Sequence, residues 1–298
     1  MTPPAGSVRA GLGFALIAYF MWGFAPLYFK TLQGANPFEI LSHRVIWAAV
    51  LLIAVIALAR GGWGRVRDAL GSSKTRYTLL ATAVLVSLNW LIFLIGVTSD
   101  RVLQVAFAYY LSPLLNVVFG VMLLGERLSR LQAVAVGLAV LGVIAQGLAL
   151  QGFPVIALAI AITWGLYNLL RKQVKTDGAT GLAIETAILL PFALAGAAWL
   201  ASQGEARFGE DMRWTTLLIL GGPVTAAPLF FFALGIRRLK LSTIGFIQYL
   251  GPSLQFLTGL AFGEPFTATH ALSFGLIWSA LAVFTWDAAQ AYRRAAPA

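Results

Sequence analysis

Ten long runs of apolar residues, separated by short loops, constrain this chain more than any other feature of its sequence. Each run has about 20 residues, the length that a helix needs to cross the hydrocarbon core of a bilayer. Barrel strands are about half as long and alternate in polarity, whereas these runs are continuously apolar. The sequence therefore predicts an all-α membrane protein with ten transmembrane helices. The predicted helices are 11–30, 37–59, 77–97, 102–124, 130–149, 153–171, 181–201, 215–235, 242–262 and 268–289.

The composition supports the same interpretation, since hydrophobic residues make up 59% of the chain and charged residues 11%. An ordinary globular domain has about 45–50% and about 25%. The chain has no cysteine, which excludes disulfides and thiolate metal sites. It also lacks a phosphate-binding G-x-x-x-x-G-K-[ST] loop and an H-E-x-x-H metal motif. We therefore expect no metal, no cofactor and no catalytic residues.

Lysine and arginine residues are concentrated in alternate loops. With a cytoplasmic N-terminus, the inner segments hold 16 of the 21 basic residues, the outer segments hold four, and Arg44 lies within a helix. Basic loops of membrane proteins face the cytoplasm, so both termini are predicted to be cytoplasmic, in a bacterial inner membrane. The net charge of +10 then faces anionic lipid, and no nucleic-acid partner is expected.

The chain repeats itself internally. Trp22 and Trp164, each followed by glycine, match at an offset of 142 residues. At an offset of 139, YLSPLLNVVFG (110–120) matches YLGPSLQFLTG (249–259). An odd number of five helices in each half, 1–150 and 151–298, makes the second half insert upside down. Inverted repeats are typical of secondary transporters, which bind substrate near the midplane between the halves.

The sequence also resembles the drug/metabolite transporter superfamily, specifically EamA-type permeases of the RarD group, which are related to YddG-type amino-acid exporters. The resemblance implies ten helices, cytoplasmic termini and transport of small metabolites, mostly export. Two positions depart from the family pattern: Ala108-Tyr109-Tyr110 replaces Gly-Tyr-Phe, and Tyr167-Asn168 replaces Tyr-Gly. The motifs that carry the resemblance are AYFMWGFAPLYFK (18–30), EILSHRVIW (39–47), NWLIFLIGV (89–97), LSPLLNVVFGVMLLGERL (111–128), ETAILLP (185–191), GGPVTAAPL (221–229), STIGFIQYLGPSLQFL (242–257) and FGLIWSALAV (274–283).

Charged and titratable side chains within the predicted helices are the first candidates for a site. His43 and Arg44 lie in the second helix, and Glu185 occupies the position equivalent to His43 in the seventh. A charge in the membrane is costly and faces a cavity or a partner, so Arg44 or His43 is expected to meet an anionic substrate group or Glu185. His43 and Glu185 also form a candidate proton-coupling pair. In the alternative interpretation, Arg44 extends to the outer surface and Glu185 forms a structural ion pair.

Aromatic and amide side chains are the second group of candidates, because aromatic walls with a few amides suit an amphipathic substrate. Amides within spans also need internal partners. The alternative is that these residues only pack helices together. The candidates for a substrate cavity are Trp22, Asn89, Trp90, Tyr109, Tyr110, Trp164, Asn168, Gln248 and Tyr249.

Two prolines, Pro113 and Pro252, occupy equivalent positions in the two halves. Proline removes a helix hydrogen bond and permits a kink, so we interpret them as symmetric hinges for alternating access. The alternative is a fixed bend in each helix.

Together these features predict a secondary transporter, working as a monomer, that exports amino acids or similar small metabolites. One alternative keeps the transporter but gives it drugs or other amphipathic compounds as cargo. Another is an intramembrane enzyme or a receptor. An enzyme would need paired catalytic groups at one depth, and only His43, Arg44 and Glu185 qualify, with no nucleophile beside them.

Overall fold

A computed structural model of the protein describes residues 5–99, 101–148, 152–261 and 267–295. Within these ranges the chain forms twelve α-helices. The helices are α1 (Ala5–Thr31), α2 (Pro37–Leu58), α3 (Gly62–Gly71), α4 (Ser73–Thr98), α5 (Val102–Leu124), α6 (Arg130–Gly147), α7 (Val155–Gln173), α8 (Gly178–Ser202), α9 (Met212–Ile236), α10 (Leu241–Gln248), α11 (Leu250–Ala261) and α12 (Ala268–Ala295).

Nine of the helices in the described ranges are long and apolar enough to cross a membrane. They coincide with nine of the ten predicted runs, because an apolar run sets each helix and polar residues cap the start of several of them. Asn36 caps α2 by accepting from the Phe38 N–H, and Ser129 begins α6 with a capping box. Asp177 and Asp211 cap α8 and α9 in the same way. Each cap satisfies backbone donors that a helix start leaves open.

The predicted ninth helix, 242–262, is two shorter helices in the structure. Helix α10 ends at Gln248 and α11 begins at Leu250, with Tyr249 between them. Pro252 explains the break, since a proline nitrogen cannot donate to the carbonyl four residues earlier and its ring clashes there. The equivalent Pro113 lies inside the continuous helix α5. The two prolines are thus not equivalent in conformation, and their role as hinges stays a prediction.

The segment predicted as a basic loop after α2 contains helix α3. Its apolar side chains Trp63, Val66 and Leu70 recur at helical spacing, and Ala69 is buried beneath them. Arginine side chains occupy the intervening positions, so α3 is amphipathic, as helices that lie at a membrane surface are. The prediction missed this helix because ten residues are too few to register as a spanning run.

The helices pack in pairs across the bundle. Helix α2 contacts α8, α5 contacts α10, and α6 contacts α12. Helix α1 packs on α9, and α4 packs on α7. Helix α5 also packs on α7, and α11 packs on α1. If each of the first five predicted spans is exchanged for its counterpart in the second five, the first three contacts map onto themselves. The other four map onto one another in two pairs.

Loop contacts define the two ends of the bundle. At one end, which we call the basic end, Arg65 of α3 contacts Asp177 at 3.4 Å, Arg237 donates to the Thr176 carbonyl, and Lys240 donates to the Arg127 carbonyl. At the other end, which we call the opposite end, the loop 32–36 meets the loop 203–211. Large apolar side chains such as Phe192 and Trp199 are exposed on the outer surface between the ends, as expected of a surface that faces lipid.

Candidate functional site

Arg44 lies in the interior of the helix bundle and is half-buried. Its Nε atom donates to Thr225 Oγ1 of α9 at 2.8 Å. Its guanidinium carbon lies 5.1 Å from the centre of the Phe29 ring and 5.3 Å from that of Trp90. Among the described residues, no carboxylate lies within 4.0 Å of this cation. Arg44 is thus held by one hydroxyl and two aromatic faces, without an anionic partner in the part of the chain that the structure describes.

Two glycines of α9 allow α2 to approach closely at this point. A Cβ atom on Gly222 would lie 2.5 Å from the backbone carbon of Trp47, and one on Gly221 would lie 3.2 Å from Arg44 Cγ. Tyr28 and Tyr109 lie close enough to interact electrostatically with Arg44. The aromatic side chains around the cation therefore come from α1, α4 and α5, while α9 supplies the hydroxyl.

Three tryptophans pack between the helices, and one of them, Trp90, contacts Arg44. Trp22, Trp90 and Trp164 are each half-buried, and each packs against both the hydrophobic cluster of α1, α7 and α9 and that of α2, α8 and α9. The rings of Trp22 and Trp164 meet edge to face at 5.7 Å, and both contact Phe232. These two tryptophans, which match in the internal repeat, are therefore neighbours in space.

A chain of amides continues from the tryptophans between α7, α5 and α10. Asn116 donates to Gln248 Oε1 at 2.7 Å, and Tyr19 donates its hydroxyl to the same oxygen at 3.3 Å. The amide of Asn168 lies 3.1 Å from that of Asn116 and 3.1 Å from the Trp164 indole nitrogen. All three amide side chains are buried, so they fix helix orientation around the tryptophans.

Several predicted site residues make contacts between helices elsewhere in the bundle. Asn89 donates to the Ile160 carbonyl of α7 at 2.8 Å, so it joins α4 to α7. The Tyr249 hydroxyl donates to the Tyr110 carbonyl at 3.2 Å, and the Tyr110 ring packs on Phe274 of α12. These contacts match the packing alternative that the sequence left open for these three residues.

His43 faces the opposite end of the bundle. Its ring stacks on Phe208 at 4.4 Å, and its Nδ1 atom accepts from the Trp47 indole at 3.2 Å. One turn earlier, buried Glu39 accepts from the backbone N–H groups of Arg207 and Phe208 at 2.7 and 2.8 Å. These contacts attach the loop 203–211 to the start of α2.

Glu185 faces the basic end, where it pairs with Arg171 of α7 at 3.3 Å rather than with Arg44 or His43. The expected contact is absent between these described residues because Glu185 and His43 lie toward different ends of the bundle. His43 follows the start of α2 at the opposite end, whereas Glu185 follows the start of α8 at the basic end. Thr82 donates to Glu185 at 2.6 Å and Tyr167 at 3.4 Å. His43 and Glu185 therefore do not contact each other, and their role in proton coupling stays a prediction.

Sequence reasoning missed four residues that complete these clusters. Arg171 was counted only as a basic residue of an inner loop, although the last turn of α7 buries it. The available signal was that Arg171 and Glu185 flank the short loop 174–177, which brings the end of α7 close to the start of α8. Nothing in the sequence alone singled out Thr82, Thr225 or Phe29.

Comparison with known proteins identifies the fold and the family. The model of the EamA-like transporter family matches residues 9–146. An uncharacterized transporter of Vibrio cholerae is 44% identical over 99% of both chains. Protein RarD of Escherichia coli is 39% identical over 97% of this chain and 98% of its own length. The chloramphenicol-sensitive protein RarD of Pseudomonas aeruginosa is 30% identical over 96% of this chain and 97% of its own.

A solved crystal structure has the same fold, with a TM-score of 0.70 over 93% of this chain and 97% of the other at 19% sequence identity. The agreement in fold extends over both halves of the chain, and the RarD relatives align over nearly its whole length. This multispanning membrane protein therefore belongs to the EamA-like transporter family of the drug/metabolite transporter superfamily.

Proposed function

We propose that this chain is a secondary transporter that exports amino acids or similar small metabolites, and that Arg44 binds the substrate carboxylate. The observation that carries the proposal is a half-buried cation without a carboxylate partner among the described residues. An arginine costs about 2.5–3.5 kcal/mol at the centre of a spanning helix. A bound carboxylate offsets that cost, because its two oxygens match the fork of the guanidinium group.

The three tryptophans supply the rest of the pocket in this proposal. Their half-buried faces suit the apolar part of a small metabolite, which the cation alone would not retain. Thr225 holds Nε of Arg44, so the two terminal nitrogens remain available for the substrate. The pocket selects for a negative group next to an apolar or aromatic body.

Alternating access in this proposal is a rocking of the two halves about Arg44 and the tryptophans. Hydrogen bonds join the halves at both ends. At the basic end Glu126 accepts from the backbone N–H groups of Leu241 and Ser242 at 2.6 and 2.9 Å. At the opposite end Tyr28 donates to the Leu217 carbonyl at 2.8 Å. We propose that these contacts break and re-form alternately during transport.

The proposal places ten crossings in the bacterial inner membrane, with both termini in the cytoplasm. Helices α10 and α11 together make the ninth crossing. The exchange pattern of the helix contacts supports an inverted repeat, and the 16 to 4 bias of basic residues supports the orientation. Cysteines placed at Arg9 and Arg60 should both react only with membrane-permeant thiol reagents in intact cells; labelling of either site by an impermeant reagent refutes the orientation.

The test of substrate binding uses proteoliposomes loaded with a mixed pool of amino acids and their decarboxylated amines. We expect efflux of amino acids but not of the amines. In Arg44→Gln the rate of amino-acid efflux should fall at least about tenfold, which is the effect of losing one charged contact. Arg44→Lys keeps the charge without the fork, so it should retain part of the activity. Exposed Lys175 provides the control, since Lys175→Gln leaves the pocket untouched. Equal efflux of acids and amines contradicts the carboxylate role, and no flux of any solute contradicts the transporter.

A different cargo, uncharged amphipathic compounds, is the second candidate. The half-buried tryptophans favour it, and a relative at 30% identity is described as a chloramphenicol-sensitive protein. Chloramphenicol carries no carboxylate, so its transport should not depend on Arg44. Efflux of chloramphenicol alone, unchanged in Arg44→Gln, favours this cargo. Efflux from the same vesicles with and without a pH gradient tests proton coupling through Glu185. If the gradient changes the efflux rate equally in wild type and in Glu185→Gln, coupling through Glu185 is excluded.

A further inference from the structure

An apolar groove of about 450 Å³ opens on the side of the bundle near the basic end. Its walls come from α2, α4 and α8, and the amphipathic helix α3 forms its edge. Ile184 and Ile188 form part of its floor together with Val66, where they pack on buried Leu79. The lining residues are Ile53, Ile56, Trp63, Val66, Leu70, Arg76, Leu80, Ala183, Ile184, Ala187 and Ile188.

The groove carries one charge, at its rim. Arg76 is the sole charged residue among the lining residues; its side chain is exposed and donates to the Leu70 carbonyl at 3.3 Å. The segment 60–76 that surrounds the rim holds five basic residues and one acidic residue. An apolar slot with a cationic rim is complementary to an amphipath with an acyl tail and an anionic head.

The position of the groove within the bundle supports the same ligand. Trp63 is 58% exposed and lies at the edge of the groove, and tryptophan favours the level of the lipid headgroups. The basic face of α3 belongs at the same level, because interfacial helices keep their arginines among the headgroups. An acyl chain entering from the bilayer therefore reaches the groove without leaving the apolar layer.

We infer that this groove is a binding site for one anionic diacyl phospholipid, with its acyl chain between α3, α4 and α8 and its phosphate beside Arg76. Arg76 supplies the electrostatic attraction to the anionic head, because it is the charged residue among the lining residues. The lipid joins α3, which has few contacts with the bundle, to the spanning helices. The site lies next to Glu185, so an occupied groove holds the basic end of α8 in place.

Binding of dioleoyl phosphatidylglycerol to the delipidated protein in detergent tests this inference. Native mass spectrometry counts bound lipids, and thermal unfolding measures the stabilisation. We expect one tightly retained copy and a raised Tm with phosphatidylglycerol, and a weaker effect with phosphatidylcholine. Free glycerol phosphate should have no effect, because it lacks the acyl chain. Equal responses to the two lipids overturn the role of Arg76, and an equal response to glycerol phosphate overturns the role of the groove.

Paired variants separate the groove from general effects of charge and size. Ala187→Phe fills the groove from α8, and Ala198→Phe makes the same change eleven residues later, three turns along the same exposed face. Arg76→Gln removes the rim charge, and Arg67→Gln removes an exposed charge of α3 outside the lining.

Phosphatidylglycerol affinity should fall about tenfold in Ala187→Phe and Arg76→Gln, the size of one buried or charged contact, and stay within about twofold in the controls. Retained affinity in Ala187→Phe overturns the inference. A monodisperse elution profile and an unchanged Tm without lipid show that a variant is folded. If Ala187→Phe fails this check, Leu80→Phe replaces it as the groove-filling variant. The readout needs no transported solute, so it stands apart from the proposed function.

Discussion

The buried ion pair between Arg171 and Glu185 allows the sharpest test of how the basic end is stabilised. The side chains are 2% and 3% exposed and their charged atoms are 3.3 Å apart. Glu185 also accepts from Thr82 and Tyr167, whereas Nε of Arg171 has no hydrogen-bond partner among the described residues. In Glu185→Gln the guanidinium stays charged and buried but loses its carboxylate.

We expect Glu185→Gln to lower the free energy of unfolding by about 3–5 kcal/mol, the cost of an uncompensated buried charge. That change corresponds to a factor between about one hundred and several thousand in the folding equilibrium. Arg171→Met should cost less, because a carboxyl group can become neutral by taking up a proton and a guanidinium group cannot. The double variant should be more stable than the sum of the two single effects implies.

Equilibrium unfolding in mixed micelles with a rising fraction of sodium dodecyl sulfate measures all four proteins of this cycle. Arg65→Gln is the matched control, because it breaks an exposed ion pair. The charged atoms of Arg65 and Asp177 lie 3.4 Å apart, and their side chains are 44% and 42% exposed. An exposed pair contributes about 0–1 kcal/mol. The reasoning fails if Glu185→Gln costs no more than Arg65→Gln, or if the effects of the two single changes simply add.

Three further changes test the packing that positions the site. Gly181→Ala should destabilise the protein by about 1–3 kcal/mol through overpacking, because its Cβ would collide with Arg171 Nη1. Gly137→Ala adds its Cβ in open space and should leave the melting temperature unchanged. Equal melting temperatures of the two variants would contradict this reasoning. Asn116→Leu removes the donor to Gln248 and should cost about 1–3 kcal/mol by leaving buried amides unpaired; an unchanged Tm would show that the amides find other partners. Glu39→Leu removes the acceptor for the Arg207 and Phe208 N–H groups, whereas Glu39→Gln keeps one acceptor oxygen. Trypsin should therefore cut after Arg207 faster in Glu39→Leu than in Glu39→Gln. Equal cleavage rates would show that the loop does not depend on Glu39.

The internal repeat indicated a contact for one matched pair of residues and not for another. Trp22 and Trp164 match in sequence, and their rings touch. His43 and Glu185 also match in sequence, yet His43 contacts Phe208 at the opposite end and Glu185 contacts Arg171 at the basic end. A match in sequence therefore did not by itself predict that two residues are neighbours in the bundle.

The sequence by itself determined where the long helices lie and that Arg44 would be costly and confined within one of them. Both properties are local: a bilayer requires long apolar helices whatever their neighbours, and a charge within such a helix is expensive wherever it points. Only the tertiary structure decided that Arg44 lacks a carboxylate among the described residues, that Arg171 has one, and that Asn89 joins α4 to α7. Partners depend on the depth and rotation of each helix, which are set by contacts between helices far apart in the chain.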